Sequence, residues 1–170
     1  LASVAIPRLA ATREDAEIST TIANLRTLVS EASAYYVAHG TFGTAGDAAG
    51  GVTWNQVTNV PLSTPNAEVV VTGTAATPTA HLQAGRQDCI GVRLVNKNGN
   101  TPAHIVFTRN ATGDTDNSVC RQVLNSEPVA VYLRSTSGNG QAGTMSVGSS
   151  RGIYQPATTQ PQPQPAVAGG

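Results

Sequence analysis

The sequence predicts an α+β fold: a long N-terminal α-helix packed on a small antiparallel β-sheet, with one disulfide and an extended C-terminal tail. Three observations predict it. Arg8 to His39 contains neither glycine nor proline and carries a one-sided apolar stripe. Several Val- and Ile-rich runs bounded by turn residues follow, and the chain ends in a proline- and glutamine-rich segment.

With 170 residues there is enough chain for one domain with a real core and too little to expect two. We divide it into an N-terminal helical segment, residues 1–40, a β-rich head, 41–154, and a tail, 155–170. Ten basic and ten acidic residues cancel and only 12% of the chain is charged, so charge supports neither a nucleic-acid-binding surface nor an acidic tail. Aromatic residues at 4% leave Val, Ile, Leu and Ala to build most of the core.

The chain opens "LASVAIPRLAATREDAEI": apolar residues to Ile6, then Pro7, then a dense charged stretch from Arg8. A helical membrane span needs about 20 apolar residues, and this run stops too soon. It also lacks the charged start and full apolar centre of a signal peptide. We read it as the end of a hydrophobic segment whose beginning lies upstream. Beyond it, Ile18, Ile22, Leu25, Val29, Ala32 and Tyr36 alternate in steps of four and three, the stripe of an amphipathic helix. Leu28 and Tyr35 widen the stripe, and Arg13 and Glu17 are spaced for an ion pair one turn apart. Pro7 suits the first turn and Gly40 the stop. A coiled-coil seam would use the same stripe, but a β-rich domain downstream needs a cover, which favours packing on the head.

After Gly40 comes a Gly- and Ala-rich loop, then a short helix expected from Trp54 to Val60 and ended by Pro61. The glycines are not a phosphate cradle, since no Gly-Lys-Ser/Thr follows and no strand precedes. Four runs read as strands: "EVVVTG" from Glu68, "CIGVRLV" from Cys89, "HIVFTR" from His104 and "VAVYLR" from Val129. Asn98-Gly99 is a turn signal that makes the second and third an antiparallel hairpin, while the first is free to pair at either edge. Between the third and fourth, Asp116 or Ser118 caps a short helix carrying Cys120, Val123 and Leu124. The tail, "QPATTQPQPQPAVAGG", favours extended conformations and cannot build a core.

Cys89 and Cys120 show no C-x-x-C pattern and no histidine spacing for zinc or haem. A single disulfide is the simplest reading; it would restrict the unfolded chain by roughly 3 to 4 kcal/mol and needs an oxidising compartment. Two unrelated buried thiols is the other reading. For catalysis, His39, His81 and His104 fall at a helix end, in a loop and at a strand start, with no motif tying them to a nucleophile or a carboxylate, and read as surface residues. Asp114, Asp116 and Asn117 begin like a calcium-binding loop, but Val119 stands where the required glycine belongs and no glutamate closes the loop. We expect no enzyme activity, no metal and no cofactor. Tyr35 and Tyr36 read as core packing rather than as an electron path, in the absence of a haem-attachment motif.

The segment from Leu1 to Phe42 resembles the type IV pilin family, which includes the pseudopilins of type II secretion. "LASVAIP" matches the end of the family pattern "FTLIE...GILAAIAIP", with Ser3 and Val4 as mild substitutions. "REDAEISTTIANLRTLVSEASAYYVAHGTF" continues it in the family's manner, with a tyrosine pair and a glycine at the helix end. The leader, the first mature residue and the N-terminal glutamate of that pattern are not in this sequence, so processing and N-methylation have no residue here to land on. The cysteine pair looks like the disulfide that fastens the C-terminal region of many pilins, although the chain runs on further after Cys120 than the family leads one to expect.

The resemblance implies a structural subunit of an extracellular, cell-surface filament that sits in the inner membrane before assembly. Its partners would be copies of itself in a helical homopolymer, the pilus assembly machinery, and the membrane through the upstream part. Leu1, Val4, Ala5, Ile6, Pro7 and Leu9 would lie in the filament core, with Leu1 to Ile6 extended or irregular in the assembled filament because Pro7 disfavours helix before it. Alternatives are a soluble secreted binding domain or adhesin that does not polymerise, and a minor pilin or pseudopilin.

Overall fold

In the computed structural model the described residues are 5–44, 51–70, 78–99, 101–110, 118–134 and 142–147. Leu1, Val4, the loop with Asp114, Asp116 and Asn117, and the tail lie outside them. The first element, α1, runs from Ala5 to His39, roughly 50 Å at 1.5 Å per residue. It ends where the sequence predicts: Gly40 takes φ +72° and its N–H returns to the Tyr36 carbonyl at 2.7 Å, a left-handed stop that glycine enters without steric cost. The Arg13–Glu17 pair forms at 3.7 Å on an exposed face, where such pairs contribute little.

Ala5 and Ile6 are helical in the single chain, whereas the extended conformation expected of Leu1 to Ile6 concerns the assembled filament.

The sheet is antiparallel throughout, in the order β1 (Ala80–Ala84), β2 (Gln87–Val95), β3 (His104–Arg109), β4 (Ala142–Ser146). The β2–β3 hairpin forms as predicted, closed by paired hydrogen bonds between Asn98 and Thr101 at 3.1 and 2.9 Å. Cross-strand register puts Leu82, Ile90, Val92, Leu94, Ile105 and Phe107 on one face, all buried in the core. Gly91, Arg93, Val106, Thr108 and Thr144 share the other face, and burial lowers the pKa of the Arg93 guanidinium there.

Helices cover the core face. α2 (Trp54–Val57) is shorter than expected, since the chain turns extended at Thr58 well before Pro61. Gln56 reaches back to the Thr53 N–H at 2.9 Å to open it, and the buried Trp54 donates to Thr79 at 2.9 Å. α3 (Ser118–Asn125) is the short helix expected there and carries Cys120, Val123 and Leu124 inward.

Two strand expectations are corrected. "VAVYLR" lies in helix α4 (Glu127–Arg134): Val129, Tyr132 and Leu133 recur at helical spacing, Glu127 and Pro128 suit a first turn, and the Arg134 guanidinium holds both Glu127 oxygens at 3.0 Å. Of "EVVVTG", the described residues Glu68 to Val70 form no strand and contribute a bridge from Glu68 to Thr53, although the buried Val69 accepts from the Leu94 N–H at 3.1 Å beside the sheet. Its place as the first strand belongs to Ala80–Ala84, which puts His81 in a strand rather than a loop. β4, which packs under α4, has no counterpart in the reading of the sequence; a Cβ at Gly143 would overlap the Tyr132 carbonyl, so this strand needs glycine where the helix crosses it.

Candidate functional site

The feature from which a function can be argued is α1, and it divides into two lengths. From Ile18 onward it packs on the body: Leu25, Leu28, Val29 and Ala32 are buried, and Ile18, Ile22, Tyr35 and Tyr36 are partly buried against the same core. Every residue of the predicted packing stripe therefore lies on the packed face. From Arg13 to Ala16 the side chains are exposed, and the described packing begins only after them. Ala5, Ile6, Pro7 and Leu9, assigned by resemblance to a filament core, lie on the first turns of α1.

Four attachments hold the packed length. The buried Thr21 hydroxyl lies 3.3 Å from the Gln83 carbonyl at the end of β1. Glu31 accepts from the Thr58 hydroxyl and from the Asn59 N–H at 3.0 Å, joining α1 to the chain after α2. The Thr58 hydrogen bond, followed by that of Asn59, keeps the Glu31 carboxyl below the usual carboxylate range against an opposing push from burial. At the helix end the Asn96 side chain accepts from the Phe42 N–H at 2.7 Å and donates to the Gly43 carbonyl at 2.6 Å, and the Tyr36 and Phe42 rings pack 4.9 Å apart. The fourth attachment is α3, which packs on α1 and is fixed to β2 by the Cys89–Cys120 disulfide.

That disulfide resolves the two readings of the cysteines, with Cα atoms 5.5 Å apart. Local backbone geometry helps to place it. Leu82 faces Ile90 and Gln83 faces Asp88, so Cys89 is the extra residue of a β-bulge. Arg109 from β3 reaches the Leu124 carbonyl at 3.2 Å and the Asn125 side chain at 3.0 Å, closing the far end of α3.

The other face of α1 carries mainly small side chains. Ala23, Thr27, Ser30, Ala34 and Ala38 are exposed on it, Arg26 is its charged residue, and Val37 is 72% exposed. Asn96, Glu31 and Arg109 were not singled out in the sequence, because a lone polar residue carries no pattern; only the partner segments give it a role.

The histidines serve local contacts. His39 stacks on Tyr35 with centroids 4.1 Å apart, and His104 Nδ1 lies 2.9 Å from the Pro102 carbonyl. His81 does meet a carboxylate: its Nδ1 lies 3.5 Å from Asp88, which also accepts from Gln83 at 3.1 Å. That pairing depends on β1, a strand the sequence did not disclose. Among the described residues no group of three or more His, Cys, Asp or Glu is placed to hold a metal ion, and no helix is long and apolar enough to cross a membrane. Compared with protein-family models, with curated proteins and with solved structures, the chain matches none.

Proposed function

We propose that this chain is a structural subunit of an extracellular type IV pilus or pilus-like filament, pilin-like in fold and assembled through the first turns of α1. The observation that carries the proposal is that, among the described side chains of α1, packing on the head begins at Ile18 and Arg13 to Ala16 are exposed, while the helix continues back to Ala5. An isolated helix shorter than about 12 to 15 residues is marginal in water. Those turns carry Ile6 and Leu9, and burying such side chains against other copies removes apolar surface from water at about 25 cal/mol per Å². Repeating one such head-to-tail contact builds an open helical polymer. The resemblance of Leu1–Phe42 to the pilin pattern points the same way. In this reading the chain catalyses nothing, the disulfide suits an oxidising exterior, and the partners are its own copies, the assembly machinery and, before assembly, the membrane.

The test is negative-stain imaging of cells carrying the natural gene, beside a strain with Ile6→Asp and Leu9→Asp. The proposal expects thin filaments in which this chain repeats, lost in the double variant while its head keeps the disulfide and its melting temperature. Filaments unaffected by the double variant would overturn it. So would a natural product secreted as stable monomers, the behaviour of a soluble binding domain.

A further inference from the structure

We propose that Asn98 is a site of spontaneous deamidation, a covalent change written into the tip of the β2–β3 hairpin and independent of the filament reading. The chemistry needs an asparagine amide whose carbonyl carbon, Cγ, is attacked by the next residue's backbone nitrogen. A following glycine favours the attack because it has no side chain to crowd the approach. Asn98 is exposed and followed by Gly99, which takes φ +55° and has nothing within 4 Å of where a Cβ would stand. Among the described residues, no hydrogen bond holds the Asn98 side-chain amide or the Gly99 N–H.

Asn96, two residues earlier, is the opposite case. Its amide is held by the Phe42 N–H at 2.7 Å, the Thr41 hydroxyl at 3.2 Å and the Gly43 carbonyl at 2.6 Å, and Lys97 follows it. The same hairpin therefore carries one locked asparagine and one poised to react.

In the step, the Gly99 nitrogen bonds to the Asn98 Cγ, the bond from Cγ to Nδ2 breaks, and that nitrogen leaves as ammonia with the proton from Gly99. Water then opens the five-membered imide at either carbonyl. The products are aspartate in the original backbone and isoaspartate, in which the main chain runs through the side-chain carbon. Both add a carboxylate to a chain whose formal net charge is zero. Isoaspartate also lengthens the turn by one backbone atom between Asn98 and Gly99, where the Asn98–Thr101 hydrogen bonds close it.

The experiment incubates the whole oxidised chain at mildly alkaline pH beside a synthetic peptide of residues 95–103, and maps the products by proteolysis and fragmentation mass spectrometry. Exposed turns open at little cost, so Asn98 in the folded chain should convert no more than about tenfold slower than the peptide. The expected products are both acids at position 98, an unchanged Asn96, and no conversion at that position in Asn98→Gln. Retention of the Asn98 amide after the peptide has converted would overturn the proposal, as would conversion that occurs only in denaturant.

Discussion

The two lengths of α1 are one continuous helix with two different sources of order. From Ile18 to His39 the helix is held by its buried stripe and by side-chain ties to β1, to the segment after α2 and to the end of β2. From Ala5 to Glu17 those ties are missing among the described contacts, and charge is concentrated in Arg13, Glu14, Asp15 and Glu17. The comparison teaches that helical backbone alone does not identify a finished surface. The packed length completes the fold of the chain, whereas the described side chains from Arg13 to Ala16 are exposed and outside that core.

Substitutions can break this contrast. The largest effect is expected in the packed length: Leu28, fully buried, should cost about 2 to 5 kcal/mol as Leu28→Ala. Asp15→Ala in the projecting length should change stability by no more than about 0.5 kcal/mol. Urea unfolding of the two variants side by side measures the difference, and equal losses would erase the distinction. Next, replacing both cysteines by serine should remove about 3 kcal/mol and loosen α3, the helix that backs the packed length; chemical unfolding with and without the bridge reads the loss.

A smaller effect, about 1 kcal/mol, is expected for Glu31→Gln, which weakens the charge-assisted hydrogen bonds to Thr58 and Asn59. Its sign with pH is fixed by the lowered pKa of Glu31. The contribution is fully present above the carboxyl's unfolded pKa and is lost as pH falls through its lower folded value. Melting temperature followed into acid should therefore fall less steeply in Glu31→Gln than in the natural chain. The smallest effect is a gain. Arg86 sits at φ 66° in the β1–β2 turn, a conformation costly for any residue with a Cβ, so Arg86→Gly should stabilise by up to about 1 kcal/mol. Thermal unfolding checks it.

Much of this contrast is legible in the sequence because it rests on repeated patterns. The stripe from Ile18 to Tyr36 needs only helical spacing, and Gly40 announces the stop. The β2–β3 hairpin follows from two apolar runs around Asn98-Gly99, and α3 from reading Asp116 or Ser118 as a cap before Cys120, Val123 and Leu124. What stays hidden has a physical cause in each case. β1 alternates correctly, but through Ala80 and Ala84, whose small side chains give a weak signal. β4, "AGTMS", is chosen for fit under α4 rather than for apolar character. In "VAVYLR" strand propensity misleads, since tertiary packing of Val129, Tyr132 and Leu133 decides for helix. The ties made by Glu31, Asn96 and Arg109 join segments far apart in the chain, and no local pattern marks them.

The most direct measurement is amide hydrogen exchange along α1, taken on dispersed subunits and on assembled material. Slow exchange is expected from Leu25 to Tyr36 in both states, and exchange from Ala5 to Glu17 should be fast in dispersed chains and slow once copies assemble. Slow exchange from Ala5 to Glu17 in dispersed chains would contradict this, because the projecting turns would then be stable without any neighbour.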